Sequence, residues 1–210
     1  MKLTIKLFIY LSLSINYVFA SKVDNITQDI AYASQDIATV YLSLFNDDKN
    51  SLYKSKLNNS IHTLEESFRE LAKEADCTDT KNILDFLSYS KDQIKETLKK
   101  DVSKERVHEI LDYSGTLLEG AESVLKTNGY KPTKDEDQRV VLSKLTKFYM
   151  AYKLGFDTQN SKDELQKLLE RLDDSMQPNL SWSSYKRLIN TEDKFFPNMI
   201  LILTKDLEGR

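Results

Sequence analysis

The sequence predicts an all-α protein built from antiparallel helical bundles, and three observations support this fold class. Apolar residues recur at intervals of three and four along most of the chain, as they do on one face of a helix. The 210 residues include only five Gly and three Pro, which is too little turn chemistry for an all-β chain. Charged residues make up 30% of the sequence, which suits long exposed helix faces.

The first 20 residues are typical of a secretory signal peptide. Lys2 and Lys6 precede a short apolar stretch that ends in Val-Phe-Ala, the usual order of charged region, apolar region and cleavage site. We therefore expect cleavage after Ala20 and a periplasmic or secreted mature protein. The alternative is an uncleaved membrane anchor or a buried N-terminal helix; a membrane span needs about 20 apolar residues, and polar residues interrupt this stretch. Without the two lysines the chain has 28 basic and 33 acidic residues, a net charge of −5.

Four amphipathic helices are predicted between the signal peptide and Pro132. Asp24 or Asn25 can cap the first helix, and Asn46-Asp47-Asp48 ends it. The fourth helix ends at Asn128-Gly129, where glycine is a common terminator. The apolar stripes of these helices are Ile26, Ile30, Ala33, Ile37, Tyr41 and Leu44; Tyr53, Leu57, Ile61, Leu64, Phe68 and Leu71; Ile83, Leu87, Ile94 and Leu98; and Val107, Leu111, Leu118, Ala121 and Leu125.

The helical pattern restarts after Pro132. Gly155 suits a left-handed C-terminal cap of the next helix, and Gln177-Pro178 stops the one after it. Pro197 lacks a backbone donor and disfavours helix at the preceding residue, so we expect a break between 191 and 197. The stripes are Val141, Leu145, Phe148 and Tyr152; Leu165, Leu168, Leu169, Leu172 and Met176; Trp182, Tyr185, Leu188 and Ile189; and Met199, Ile200, Leu203 and Leu207.

An internal repeat divides the mature chain into two parts. A shift of 108 positions aligns residues 56–68 with 164–176, including a shared Leu, two acidic residues, Ser and an apolar residue. The same shift pairs Ile37, Tyr41 and Leu42 with Leu145, Tyr149 and Met150. We interpret residues 21–130 as a first helical repeat and 131–210 as a second, shorter one. Chance agreement between two amphipathic helices is the alternative.

Catalytic and metal chemistry is not indicated by the sequence. His62 and His108 are the only histidines, and their spacing gives no metal-binding pair. Cys77 is the only cysteine of the sequence, so an internal disulfide is excluded. We interpret it as an unpaired loop residue or as a link to another chain. The net negative charge argues against a nucleic-acid partner. We therefore expect a non-enzymatic protein without a cofactor.

Ligand binding is the more informative possibility. Tyr41 and Tyr149 lie on or beside the inner stripes, where aromatic side chains either fill the core or line a cavity between helices. Arg139, with Gln138 beside it, lies near the start of a helix. An arginine held between helices is a planar, permanently charged ligand for an anion. Spacing alone does not separate that role from an ordinary surface arginine.

One segment resembles a known family. Residues 138–150, Gln-Arg-Val-Val-Leu-Ser-Lys-Leu-Thr-Lys-Phe-Tyr-Met, are followed by Lys153-Leu154-Gly155 and the Leu-rich helix to Met176. This pattern resembles the N-terminal sensing domain of PilJ-type chemotaxis transducers of type IV pili, whose helix reads Ala-Gly-x-Gln-Arg-Met-Leu-Ser-Gln-Arg-Met-(Ala/Ser)-Lys. Residues 34–42 keep other parts of the motif. Asp135 and Glu136 replace the family's Ala-Gly, and Ala31 stands at the first copy's arginine position.

The motif is also similar to the periplasmic helix of nitrate/nitrite sensor kinases. That resemblance implies a four-helix-bundle-like sensory domain in which Arg139 contacts an anion. It further implies a small-molecule or anion ligand and signalling to a membrane receptor or another protein, with a homo-oligomer also open. The alternative function is a structural or adhesive extracytoplasmic protein that acts through protein–protein contacts.

Overall fold

The computed structural model describes residues 2–131, 134–176, 179–191 and 195–208, and the side chains of 22–131, 138–174, 176, 179–191 and 195–208. These residues form eight helices and no strand, which confirms the all-α prediction. The helices are α1 (Lys2–Asn46), α2 (Ser51–Glu74), α3 (Thr78–Leu98), α4 (Lys104–Thr127), α5 (Lys134–Lys153), α6 (Thr158–Ser175), α7 (Leu180–Ile189) and α8 (Pro197–Glu208).

Helix α1 lies at the centre of the bundle and packs against α2, α4 and α5. It is therefore buried on most sides between residues 30 and 44, rather than along one stripe, and only Tyr32 and Asp36 in this range are half-buried. Small residues between the large apolar ones, such as Ala31, Ala38 and Ser43, allow neighbouring helices to approach closely. The prediction that Asp24 or Asn25 caps this helix is wrong for the full chain. Because no Gly or Pro precedes Asp24 and Asn25 to interrupt the helix, α1 runs through both residues.

Three predicted helix ends agree with the structure, whereas Gln177-Pro178, predicted to stop a fourth, lies outside the described residues. Helix α1 ends at Asn46, α4 is followed by Gly129 at φ +70°, and α5 is followed by Gly155 at φ +79°. Both glycines adopt the left-handed conformation that other residues rarely do. The predicted break near Pro197 is confirmed, because α7 ends at Ile189 and α8 begins at Pro197. Proline is favoured in the first helical turn.

One hydrophobic core contains residues from both predicted repeats. Helix α5 packs against α6 and α8 and also against α1, which joins the two parts. The three residue pairs related by the shift of 108 positions are all buried, although burial alone does not test the duplication. The repeat and the domain boundaries stay predictions. Within the described residues, no helix combines the length and apolarity needed to cross a membrane.

Candidate functional site

A cavity of about 410 Å³ lies between four helices, two from each predicted repeat. Its volume falls within the range of small-molecule sites. Helices α1, α2 and α5 each contribute three lining residues, and α8 contributes four. The lining residues are Tyr32, Asp36 and Thr39; Lys56, Asn59 and Ser60; Arg139, Ser143 and Thr146; and Leu201, Thr204, Lys205 and Glu208. We call this space the polar cavity.

Arg139 lines the polar cavity, and its guanidinium is held on one face by an aromatic ring. The Arg139 Cζ atom lies 3.8 Å from the centroid of the Tyr32 ring, which is a cation–π contact. Arg139 Nη1 lies 3.8 Å from Asp29 Oδ1, which is a long ion pair. The Arg139 side chain is 46% exposed, so its remaining donors are accessible to solvent. The guanidinium is thus oriented by Tyr32 and Asp29 but only partly neutralised.

Two carboxyl groups share the cavity with three basic side chains. Burial raises the pKa of Glu208 to about 7, although a hydrogen bond that Tyr32 Oη donates to Glu208 Oε2 at 2.8 Å opposes the rise. Burial also raises the pKa of Asp36, which accepts a hydrogen bond from the Ser60 hydroxyl. Both carboxyl groups therefore hold their protons more tightly than usual. The basic side chains of the lining are Lys56, Arg139 and Lys205, which gives the cavity an excess of positive charge.

Hydroxyl groups fix the helices behind the charged residues. Thr146 of α5 makes hydrogen bonds to Tyr185 Oη at 2.7 Å and to Thr204 Oγ1 at 2.8 Å, which ties it to α7 and α8. Burial raises the pKa of Tyr185, so this phenol stays neutral. On the other side, Tyr53 of α2 donates to Asn198 of α8. Polar contacts therefore link the helices that form the walls of the cavity, and these contacts depend on how the helices are positioned relative to one another.

The structure places the other predicted ligand residues elsewhere. Tyr41 and Tyr149 are almost fully buried in the core and do not line the polar cavity. Their hydroxyl oxygens make no hydrogen bond of normal geometry with the described residues, although that of Tyr149 approaches the backbone of Phe196. Gln138 is half-buried and lies outside the lining. The side chains of Asp135 and Glu136 lie outside the described residues.

Sequence reasoning missed Asp36 and Glu208, the two acidic residues of the lining, whose pKa values are both raised. A helical signal was present, because Tyr32, Asp36 and Thr39 are spaced four and three apart beside the apolar stripe of α1. Arg139, Ser143 and Thr146 repeat this spacing on α5. The chain alone did not show that the two polar rows face one cavity.

The other reactive residue types form no second chemical centre in the described part of the chain. Cys77 is exposed at the N-cap of α3, and His62 is exposed on α2, where it lies 3.3 Å from Glu66. Within the described residues, no three His, Cys, Asp or Glu side chains are grouped to hold a metal ion. Comparisons with family models, curated proteins and solved structures found no match to this chain.

Proposed function

We propose that the protein is an exported, non-enzymatic helical module that binds a small anion in the polar cavity. The single observation that carries this proposal is the position of Arg139, whose oriented and partly exposed guanidinium lines a cavity between helices. A planar guanidinium matches the paired oxygens of carboxylate, nitrate or nitrite. The proposal agrees with the resemblance to PilJ-type and nitrate/nitrite sensor domains.

The balance of charge favours an anion over a cation. Three basic residues and two acidic residues line the polar cavity, and the raised pKa values of Asp36 and Glu208 shift both toward their neutral forms. A protonated carboxyl group is a hydrogen-bond donor, so it can contact an anion without repelling it. Asp29 is the main competitor, since it lies 3.8 Å from the Arg139 guanidinium.

The location of the cavity suggests how binding is reported. Its walls come from α1 and α2 of the first predicted repeat and from α5 and α8 of the second. A ligand that contacts both sides changes the packing of α5 and α8 against α1 and α2. Shear movements between packed helices typically amount to about 1 to 2 Å. We propose that a membrane receptor or another protein reads this change.

Calorimetry with matched variants tests the proposal. Nitrate, nitrite, acetate and succinate are titrated into the purified chain, and Arg139→Ala is expected to weaken binding at least tenfold. That factor follows from the roughly 1.5 to 3 kcal/mol of a hydrogen bond to a charged group. Asp29→Asn should strengthen binding because it removes the competing charge. Arg187→Ala, an exposed arginine on α7, is the control. Absence of heat with every anion, or binding unaffected by Arg139→Ala, contradicts the proposal.

A second candidate function is a structural or adhesive role through protein contacts. Phe86 and Tyr89 lie one turn apart on α3 and are 66% and 62% exposed, which is unusual for large aromatic side chains. Sedimentation equilibrium tests contacts between copies of the chain. Self-association that the double variant Phe86→Ser and Tyr89→Ser abolishes would favour this role, and a chain that stays monomeric at about 100 µM would count against contacts between copies.

A further inference from the structure

Lys147 is a buried lysine whose amine makes no ion pair or hydrogen bond with the described residues. Its side chain is only 7% exposed, and its Nζ atom lies 4.3 Å from the centroid of the Phe148 ring. A buried charge without a partner is costly, so lysine is rarely found in such a position. Burial lowers the pKa of Lys147 to about 8, Lys144 lowers it further, and the Glu164 carboxylate opposes the fall without forming an ion pair with Lys147.

Lys147 lines a second cavity, which lies between α4, α5 and α6 and has a volume of about 670 Å³. We call it the lysine cavity. Part of its width comes from Gly115 of α4, where an added Cβ would meet no atom within 4 Å. Helix α5 borders both cavities, but Arg139, Ser143 and Thr146 line the polar cavity, whereas Lys144, Lys147 and Phe148 line the lysine cavity.

The opposite wall of the lysine cavity is acidic. Asp112 and Glu119 lie two turns apart on α4, on either side of Gly115, and both are exposed. Neither carboxylate makes an ion pair or hydrogen bond within the described part of the chain. The other three acidic groups of the lining are engaged, since Glu122 pairs with Lys144 and Glu164 with Lys167, each at 2.6 Å, and Asp157 accepts a hydrogen bond from Asn160 at 2.9 Å. The cavity thus offers one free buried amine and two free carboxylates.

We propose that the lysine cavity binds a zwitterion that carries both a carboxylate and an ammonium group, of the size of an amino acid or short peptide. The ligand carboxylate contacts Lys147 Nζ and forms the ion pair that Lys147 does not make with the described residues. The ligand ammonium contacts Asp112 and Glu119. A simple anion is disfavoured by the acidic wall, and a simple cation leaves Lys147 without a partner. This site is separate from the polar cavity and does not depend on its function.

Peptides in which the ammonium or the carboxylate group is chemically blocked test the two proposed contacts separately. Alanine, dialanine and trialanine are titrated into the full chain by calorimetry, together with N-acetyl-dialanine and dialanine amide. We expect at least one unblocked zwitterion to bind, and loss of either the ammonium or the carboxylate to weaken binding more than tenfold. No binding by any of the three zwitterions, or equal binding of the blocked forms, overturns the proposal.

Variants locate the binding in the lysine cavity. Lys147→Met should abolish zwitterion binding, whereas Lys162→Met, at an exposed position of α6 outside the cavity lining, should leave it unchanged. Gly115→Leu should also abolish binding because its side chain enters the cavity from α4. Arg139→Ala should leave zwitterion binding intact, which separates this proposal from that of the polar cavity. Zwitterion binding that survives both Lys147→Met and Gly115→Leu overturns the assignment.

Discussion

Replacement of Lys147 by Met should stabilise the protein at pH 7. Methionine is similar in length to lysine and has no charge, so it fills the same buried position without the cost of desolvating an ammonium group. The pKa of Lys147 falls from 10.5 to about 8. At about 1.4 kcal/mol for each tenfold change in proton affinity, this fall corresponds to roughly 3 kcal/mol. We expect the net gain in stability to be somewhat smaller, about 1 to 3 kcal/mol, because the substitution also removes the contact between the Lys147 ammonium group and the Phe148 ring.

The pH dependence gives the prediction a defined sign. Between pH 8 and 10.5 the unfolded chain binds more protons at this lysine than the folded chain does, so the free energy of unfolding rises with pH. The penalty is therefore complete below pH 8 and disappears as the pH approaches 10.5. Lys147→Met lacks this titration. Its advantage over the wild type should be largest at pH 7 and should nearly vanish at pH 10.5.

Urea denaturation followed by far-ultraviolet circular dichroism measures this effect at pH 7 and at pH 10.5. The free energy of unfolding of the wild type is subtracted from that of the variant at each pH. This difference removes the contribution of the other titrating groups, which both proteins share. Lys162→Met is the matched control and should change stability by less than about 0.5 kcal/mol, as exposed substitutions usually do. A loss of stability in Lys147→Met at pH 7, or a gain that is the same at both pH values, would refute the reasoning.

Three further predictions concern acidity, packing and processing. Because the pKa of Glu208 is raised to about 7, the folded state binds its proton more tightly, so the contribution of Glu208 to stability should fall by about 2 kcal/mol from pH 4.5 to pH 7. Glu208→Gln should flatten that fall in urea titrations, and an unchanged slope would contradict the assignment. Gly115→Ala should stabilise α4 by about 0.5 to 1 kcal/mol, because alanine favours helix and its Cβ meets open space. Gly120→Ala should destabilise the protein by about 1 kcal/mol, because the added Cβ would lie 2.8 Å from Leu87 Cγ. Equal thermal midpoints of Gly115→Ala and Gly120→Ala would argue against this packing. N-terminal sequencing of the exported chain should begin at Ser21, and a chain that retains residues 1–20 would contradict signal cleavage.

Helix positions were predictable because local chemistry determines them. Gly129 and Gly155 take left-handed conformations after α4 and α5, and Pro197 begins α8, as the sequence indicates. The central position of α1 was harder to predict. Periodicity identifies the residues that face a core, but the number of helices around α1 depends on long-range packing. Its Ala, Ser and Thr residues were the available signal.

The candidate sites were only partly predictable for the same reason. Arg139 was singled out by its place near a helix start and then by the family resemblance, whereas its partner Tyr32 and the acidic Glu208 come from distant parts of the chain. Tyr41 and Tyr149 share the inner stripes that suggested a cavity, yet they fill the core. Lys147 looked like one of many charged helix residues. Its burial follows from the packing of α5 against neighbours that a single helical pattern does not reveal.

Mapping of a bound anion by nuclear magnetic resonance tests the central claim most directly. Nitrate and acetate are titrated separately into the ¹⁵N-labelled chain while backbone amides and the Arg139 Nε–Hε group are observed. Binding in the polar cavity predicts saturable shifts at Arg139, Tyr32 and Asp36 that are absent in Arg139→Ala. Shifts that do not saturate, or that spread over surface lysines and leave these three residues unchanged, would contradict it.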